Sequence, residues 1–275
     1  MKSDSYTHGH HVSVVTQHQR RTAEEAASFL LPKLMPDMRI LDVGCGPGTI
    51  STGLARAVPE GEVVAIDLSE DVLSIAREHA AEAGVENIRF ETASIYDLPY
   101  EEGSFDTVYA HQVLQHLSAP VDALREAFRV LKPGGMVAVR DADYGTMVAW
   151  PKYPEIDGWR DIYHAVTERN DAQADAGRVI PSWLREAGFE DTELSLETWH
   201  FGDEESVRDW GDSWAQRITE STLAEHAEEY GIATAQELAA IAAGWRCWAR
   251  DPDAFFMFIH VAGLARKPGG KLPRS

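Results

Sequence analysis

Between residues 39 and 141, short runs rich in β-branched and aromatic residues alternate with amphipathic stretches, and this alternation narrows the fold more than any other feature. Strands are expected at 39–43, 62–67, 87–91, 105–110 and 136–141, with helices at 50–58, 71–83 and 121–131. The order predicts an α/β fold built on a parallel, doubly wound sheet, because parallel neighbours need crossover connections and those crossovers are right-handed. Lys132-Pro133-Gly134-Gly135 reads as a helix stop followed by a tight turn into the fifth strand.

Beyond residue 150 the pattern changes. All eight tryptophans fall between Trp150 and Trp248. A helix is expected at 178–187 and strands at 193–201 and 256–264, with a mostly helical stretch at 202–253 between those strands. An insertion of that length is too long for a plain connection and is expected to pack as a cap. The organisation read from this pattern is an N-terminal helical arm over 1–38, a core over 39–201, a cap over 202–253, and a last core strand with a loose tail over 254–275.

Composition bounds the partners. The 275 residues carry a formal charge of −20, spread evenly over both halves, which repels polyanions and argues against nucleic acid or an anionic membrane as the main partner. No apolar run reaches membrane-spanning length, and the polar start, Met1 to His11, does not read as a secretory signal. Cys45 and Cys247 form neither a disulfide framework nor a metal spacing, so a reducing cytoplasm is expected, with a monomer or homodimer. The histidines at 8, 10, 11 and 18 lack paired acids or cysteines, which argues against a metal site.

Leu41-Asp42-Val43-Gly44-Cys45-Gly46-Pro47-Gly48-Thr49 stands where the first strand meets its helix, the crevice in which open α/β sheets bind ligands. Its spacing departs from the dinucleotide fingerprint at Thr49, where a third small residue would stand, and it lacks the Gly-Lys-Ser/Thr of a triphosphate loop. Asp42 is the informative residue: a pyrophosphate there would meet like charge, whereas a cation is favoured. S-adenosylmethionine meets that requirement, with a sulfonium, an ammonium and no phosphate, and its carboxylate can face the helix start near Thr49 and Ser51. Asp67 ends the second strand, where an acid accepts hydrogen bonds from ribose hydroxyls. A nicotinamide-dependent oxidoreductase and a non-catalytic cofactor-binding module are the alternatives from other classes, and Asp42 with Thr49 argues against the first.

With Leu-Asp-Val-Gly-Cys-Gly-Pro-Gly at 41–48, Val-Ala-Ile-Asp at 64–67, Leu-Pro-Tyr followed by Gly-Ser-Phe-Asp at 98–106 and Val-Leu-Lys-Pro-Gly-Gly at 130–135, the chain resembles the class I S-adenosylmethionine-dependent methyltransferases, in the branch of the quinone-biosynthesis enzymes. The resemblance implies a Rossmann-like, mostly parallel seven-stranded sheet with helices on both faces and a helical cap between the last two strands. It implies that Asp42, Gly44, Gly46 and Gly48 contact the methionine part, Asp67 the ribose, and the residues after the third strand the adenine. There Ser94 replaces the acid usual in the family. Tyr6-Thr-His-Gly-His-His, His18, Arg21-Thr22, the segment at 110–117 and Arg-Asp-Ala-Asp-Tyr at 140–144 resemble fungal gliotoxin thiomethyltransferases and bacterial enzymes that S-methylate dithiol natural products. The full cofactor set expected adds Tyr6, His18, Arg21, Cys45, Thr49, Leu68, Ile95 and His111.

Methyl transfer from a sulfonium rests mainly on positioning, and how much help a base must give depends on the acceptor. A thiol, with a reference pKa of about 8.5, is partly ionised near neutrality, whereas a hydroxyl needs a positioned base. The narrower resemblance implies a small, partly apolar thiol or dithiol as the acceptor, with carbon or oxygen methylation of a quinone, phenol or polyketide as the alternative. His111, Gln112 and His116 follow the fourth strand and are either orienting groups or packed residues. Asp141 with Arg140 reads either as a base and its partner or as a structural ion pair, and Arg21 as a carboxylate clamp or a surface residue. Trp210 and Trp214 either line an acceptor pocket with Arg140 and Tyr144 or form the core of the cap.

Overall fold

A computed structural model describes residues 21–269. After a short helical turn, α1 (Ala23–Ala26), come β1 (Arg39–Val43), α2 (Thr49–Ala57), β2 (Glu62–Asp67), α3 (Glu70–Glu82), β3 (Ile88–Thr92), β4 (Phe105–His111), α4 (Pro120–Val130) and β5 (Leu131–Trp150). Then follow α5 (Pro154–Arg169), α6 (Ala176–Glu186), β6 (Glu190–Phe201), α7 (Glu204–Glu220), α8 (Thr222–Glu229), α9 (Ala235–Trp248) and β7 (Phe255–Arg266). The seven strands form one sheet in the order β3-β2-β1-β4-β5-β7-β6. β1 to β5 run parallel, while β7 lies antiparallel between β5 and β6. This is a Rossmann-like sheet with helices on both faces.

The central strands read as continuous apolar runs because both their faces are covered. On one face Leu41, Val64, Val108 and Val139 meet Leu124, Ile180 and Leu184 of α4 and α6. On the other, Ile40, Val63, Tyr109 and Ala138 meet Leu30, Leu54 and Leu73. A third cluster lies beyond the carboxyl ends of the strands, where Trp210, Trp214, Trp245 and Trp248 of α7 and α9 pack with Trp159 and Tyr163 of α5 and Phe256 and Phe258 of β7. Trp159 stands edge-on to Trp214 at 4.4 Å and to Trp245 at 5.2 Å between ring centroids.

Two features differ from the sequence expectation. β5 is longer at both ends: it starts at Leu131, taking in the 132–135 stretch expected as a turn, and extends to Trp150, since its upper part pairs with β7, with an irregularity between Asp143 and Val148. α5 was not expected, although Ile156, Trp159, Tyr163 and Val166 repeat at helical spacing and are all buried. Among the described residues no helix is long and apolar enough to cross a membrane.

Candidate active site

The loop between β1 and α2 is shaped by positive φ at Gly44 (66°), Gly46 (54°) and Gly48 (76°). Each glycine faces different surroundings. A Cβ on Gly44 would sit 2.6 Å from Val113 Cγ2 and one on Gly48 2.7 Å from Ala76 Cβ, whereas one on Gly46 would meet nothing within 4 Å. The outer glycines let neighbouring elements close in, while Gly46 leaves room for a ligand beside the backbone. Asp67 ties the loop down: its Oδ2 accepts from Gly46 N at 3.1 Å and its Oδ1 from Ser69 N at 3.1 Å.

Asp42 lies beneath this loop, 2% exposed. Ser51 Oγ donates to its Oδ2 at 2.6 Å. Burial pushes the carboxyl up to about 7, the Ser51 hydrogen bond pulls it back, and the charge of Asp67 adds to the rise. Ser51, expected near a ligand carboxylate, is fully buried and spends its hydroxyl on Asp42.

Above the loop opens a cavity whose non-atom space, with the open solvent at its mouth included, is about 1660 Å³. Its acidic end is lined by Asp42, Gly44, Cys45, Gly46, Thr49, Asp67, Leu68, Ser94 and Ile95. Gly48 lies outside that lining, where it packs on α3. The other end is lined by Arg21, His111, Gln112, His116, Tyr144, Trp210 and Trp214. Most residues singled out in the sequence therefore converge on one space. Tyr6 and His18 lie outside the described residues.

Arg140 and Asp141 do not belong to this lining, and the assignment of one to the acceptor pocket and the other as its base is corrected. Adjacent residues on a strand point to opposite faces, so they cannot form one site or one ion pair. Arg140 is buried against the Glu25 carbonyl at 2.7 Å and pairs with Glu197 of β6. Asp141 faces the other way and accepts from Gln115 N at 3.1 Å.

His116 lines the cavity, but burial and the positive Arg21 pull it down to about 3, so it is neutral. Its Nε2 lies 3.0 Å from Gln115 Nε2, and since an amide nitrogen only donates, the ring nitrogen accepts. Tyr144 is raised by burial, while Tyr163, Arg217 and Arg21 oppose the rise. Among the lining residues not expected from the sequence are Trp199, Arg217 and Phe258. They arrive from β6, α7 and β7. For Phe258 the period-two alternation with Phe256 was the available signal.

A family profile described as a methyltransferase domain matches residues 34–188. An uncharacterized methyltransferase of Schizosaccharomyces pombe is 34% identical over 261 residues, covering 92% of this chain and 93% of its own. A probable methyltransferase of Aspergillus luteorubrus is 30% identical, covering 97% and 98%. Among solved structures, the [4+2]-cyclase SpnF superposes with a TM-score of 0.55 at 28% identity, covering 92% of this chain and 85% of its own. The chain belongs to the methyltransferase-domain family, as a class I S-adenosylmethionine-dependent member. The residues present fit that donor: room beside Gly46, and two carboxylates at one end where positive charge is stabilised.

Proposed function

We propose that the chain methylates the sulfur of a small, partly apolar thiol, with Asp42, Asp67 and the Gly44–Gly48 loop holding the donor and the aromatic end of the cavity holding the acceptor. The donor, when bound, supplies a methyl group on a sulfonium whose bond breaks with its electron pair returning to the donor sulfur. The carrying observation is the chemistry of the acceptor end. His116 is neutral with its Nε2 already engaged, Tyr144 is raised by burial, and Asp141 is not part of the cavity lining. Such surroundings suit a nucleophile that loses its proton to water near neutrality, as a thiol does, better than a hydroxyl that requires a strong base.

The remaining work of the chain is positioning. Trp199, Trp210, Trp214 and Phe258 offer apolar faces that exclude water from the transferring methyl group. His111 and Gln112, at the carboxyl end of β4, line the acceptor end of the cavity and orient the nucleophile.

The test is incubation of the purified protein with methyl-labelled S-adenosylmethionine and a panel of dithiols, monothiols, phenols and quinones. Label in a thioether is the expected result. Turnover of a phenol or quinone with every thiol inert would overturn the sulfur assignment. Because a relative of the same fold is a [4+2]-cyclase, methyl transfer itself must be the readout.

A further inference from the structure

The cavity is polar in charge. Its donor end carries Asp42 and Asp67; its other end carries two guanidiniums, Arg21 and Arg217, in a chain whose net charge is −20. Arg217 is the more deeply placed of these, 5% exposed on α7 and one turn beyond Trp214. Its Cζ lies 5.2 Å from the centroid of the Trp214 ring. A guanidinium lying over an indole presents its edge donors in one plane, the geometry that binds a carboxylate in bidentate fashion.

We infer that the methyl acceptor carries a carboxylate, seated on Arg217, with its flat apolar body against Trp210 and Trp214. The inference rests on reading this half of the cavity as the acceptor's seat, and it concerns the acceptor's charge, independently of which atom is methylated. The charge separation along the cavity orients the acceptor, because its carboxylate is repelled from Asp42 and Asp67 and drawn toward Arg217. The reacting atom is thereby directed at the donor end.

Matched probes test this by titration calorimetry on protein saturated with S-adenosylhomocysteine: 2-mercaptobenzoate against 2-mercaptobenzamide, and benzoate against benzamide. Each acid is expected to bind at least tenfold tighter than its amide. Arg217→Gln should remove that preference by weakening the acid about tenfold and the amide less than twofold, while Arg217→Lys restores part of it. The pair without a thiol separates carboxylate recognition from thiolate recognition. Equal binding of acid and amide, a preference confined to the mercapto pair, an unchanged preference in Arg217→Gln, or no binding of any probe would each overturn the inference. So would loss of S-adenosylhomocysteine affinity in Arg217→Gln with the acid preference kept, since Arg217 would then serve the donor. Thiols that bind with this preference but are never methylated would leave the carboxylate seat standing and sink the sulfur assignment alone.

Discussion

Gln112 Nε2 lies 2.6 Å from His260 Nε2, joining the end of β4 to β7 across the wall of the cavity. The amide nitrogen donates, so the imidazole accepts at Nε2 and carries its own proton on Nδ1. Burial first, then the charges of Arg140 and Arg21, push His260 well below the usual histidine range and keep that lone pair available. Gln112 meanwhile holds a left-handed φ of 55°. That conformation costs a non-glycine residue about 1–2 kcal/mol, and the hydrogen bond helps to offset it. His260→Leu and Gln112→Ala are each expected to lower kcat/KM for the acceptor about tenfold, equivalent to ~1.4 kcal/mol. Because both changes remove one contact, the double variant should be no worse than the worse single variant. Losses that multiply to about a hundredfold would show that the two side chains act independently.

Asp42 predicts how donor affinity varies with pH. Its carboxyl is pushed up to about 7 by burial, with Ser51 opposing, so the ligand-free protein holds a proton there in mildly acidic solution. A ligand bearing a sulfonium and an ammonium binds the ionised form and must displace that proton. Affinity for S-adenosylmethionine should therefore fall as pH drops below about 7, by up to roughly tenfold per unit. Calorimetry between pH 5.5 and 8, in buffers of different ionisation enthalpy, reads both the dissociation constant and the proton released. Asp42→Asn should bind more weakly with a flatter profile. A wild-type constant that does not change over this range would contradict the placement of the cation.

What could be read in advance follows from how local each determinant is. Asp42, Gly44, Gly46 and Asp67 lie within two strand ends and one turn, and the backbone demands of that turn constrain residue type directly. Arg140 and Asp141 were misread although strand alternation already separates them onto opposite faces. Trp199, Phe258 and Arg217 were not legible as site residues. β7 inserts antiparallel between β5 and β6, and the register that brings Trp199 opposite Phe258 is a non-local pairing that no window of sequence reveals. Trp210 and Trp214, whose helical spacing suits either a core or a pocket, occupy both positions: each is packed in the indole cluster and lines the cavity.

The raised carboxyl of Asp141 provides a measure of how dry the sheet is beneath the site. Asp141 is 0% exposed, and its Oδ2 meets no hydrogen-bond partner among the described residues. Burial pushes it from the ordinary 3.8 up to about 8, against the opposing backbone N–H groups of Gln115 and Leu114. Between those two values the folded protein holds a proton that the unfolded chain has released, so stability is lost as pH rises through the window and the loss is complete above about 8. The slope is about 1.4 kcal/mol per pH unit. Asp141→Asn keeps an oxygen to accept from Gln115 N–H and does not titrate. Its stability advantage over wild type should grow steadily from pH 4.5 to 8 in urea unfolding. His116, pulled down to about 3, acts in the opposite sense, weakening the fold as pH falls below 6.5. It is present in both proteins and cancels in the difference. A constant difference across the range would show that Asp141 is ionised in the folded state throughout, and that water reaches the underside of the cavity.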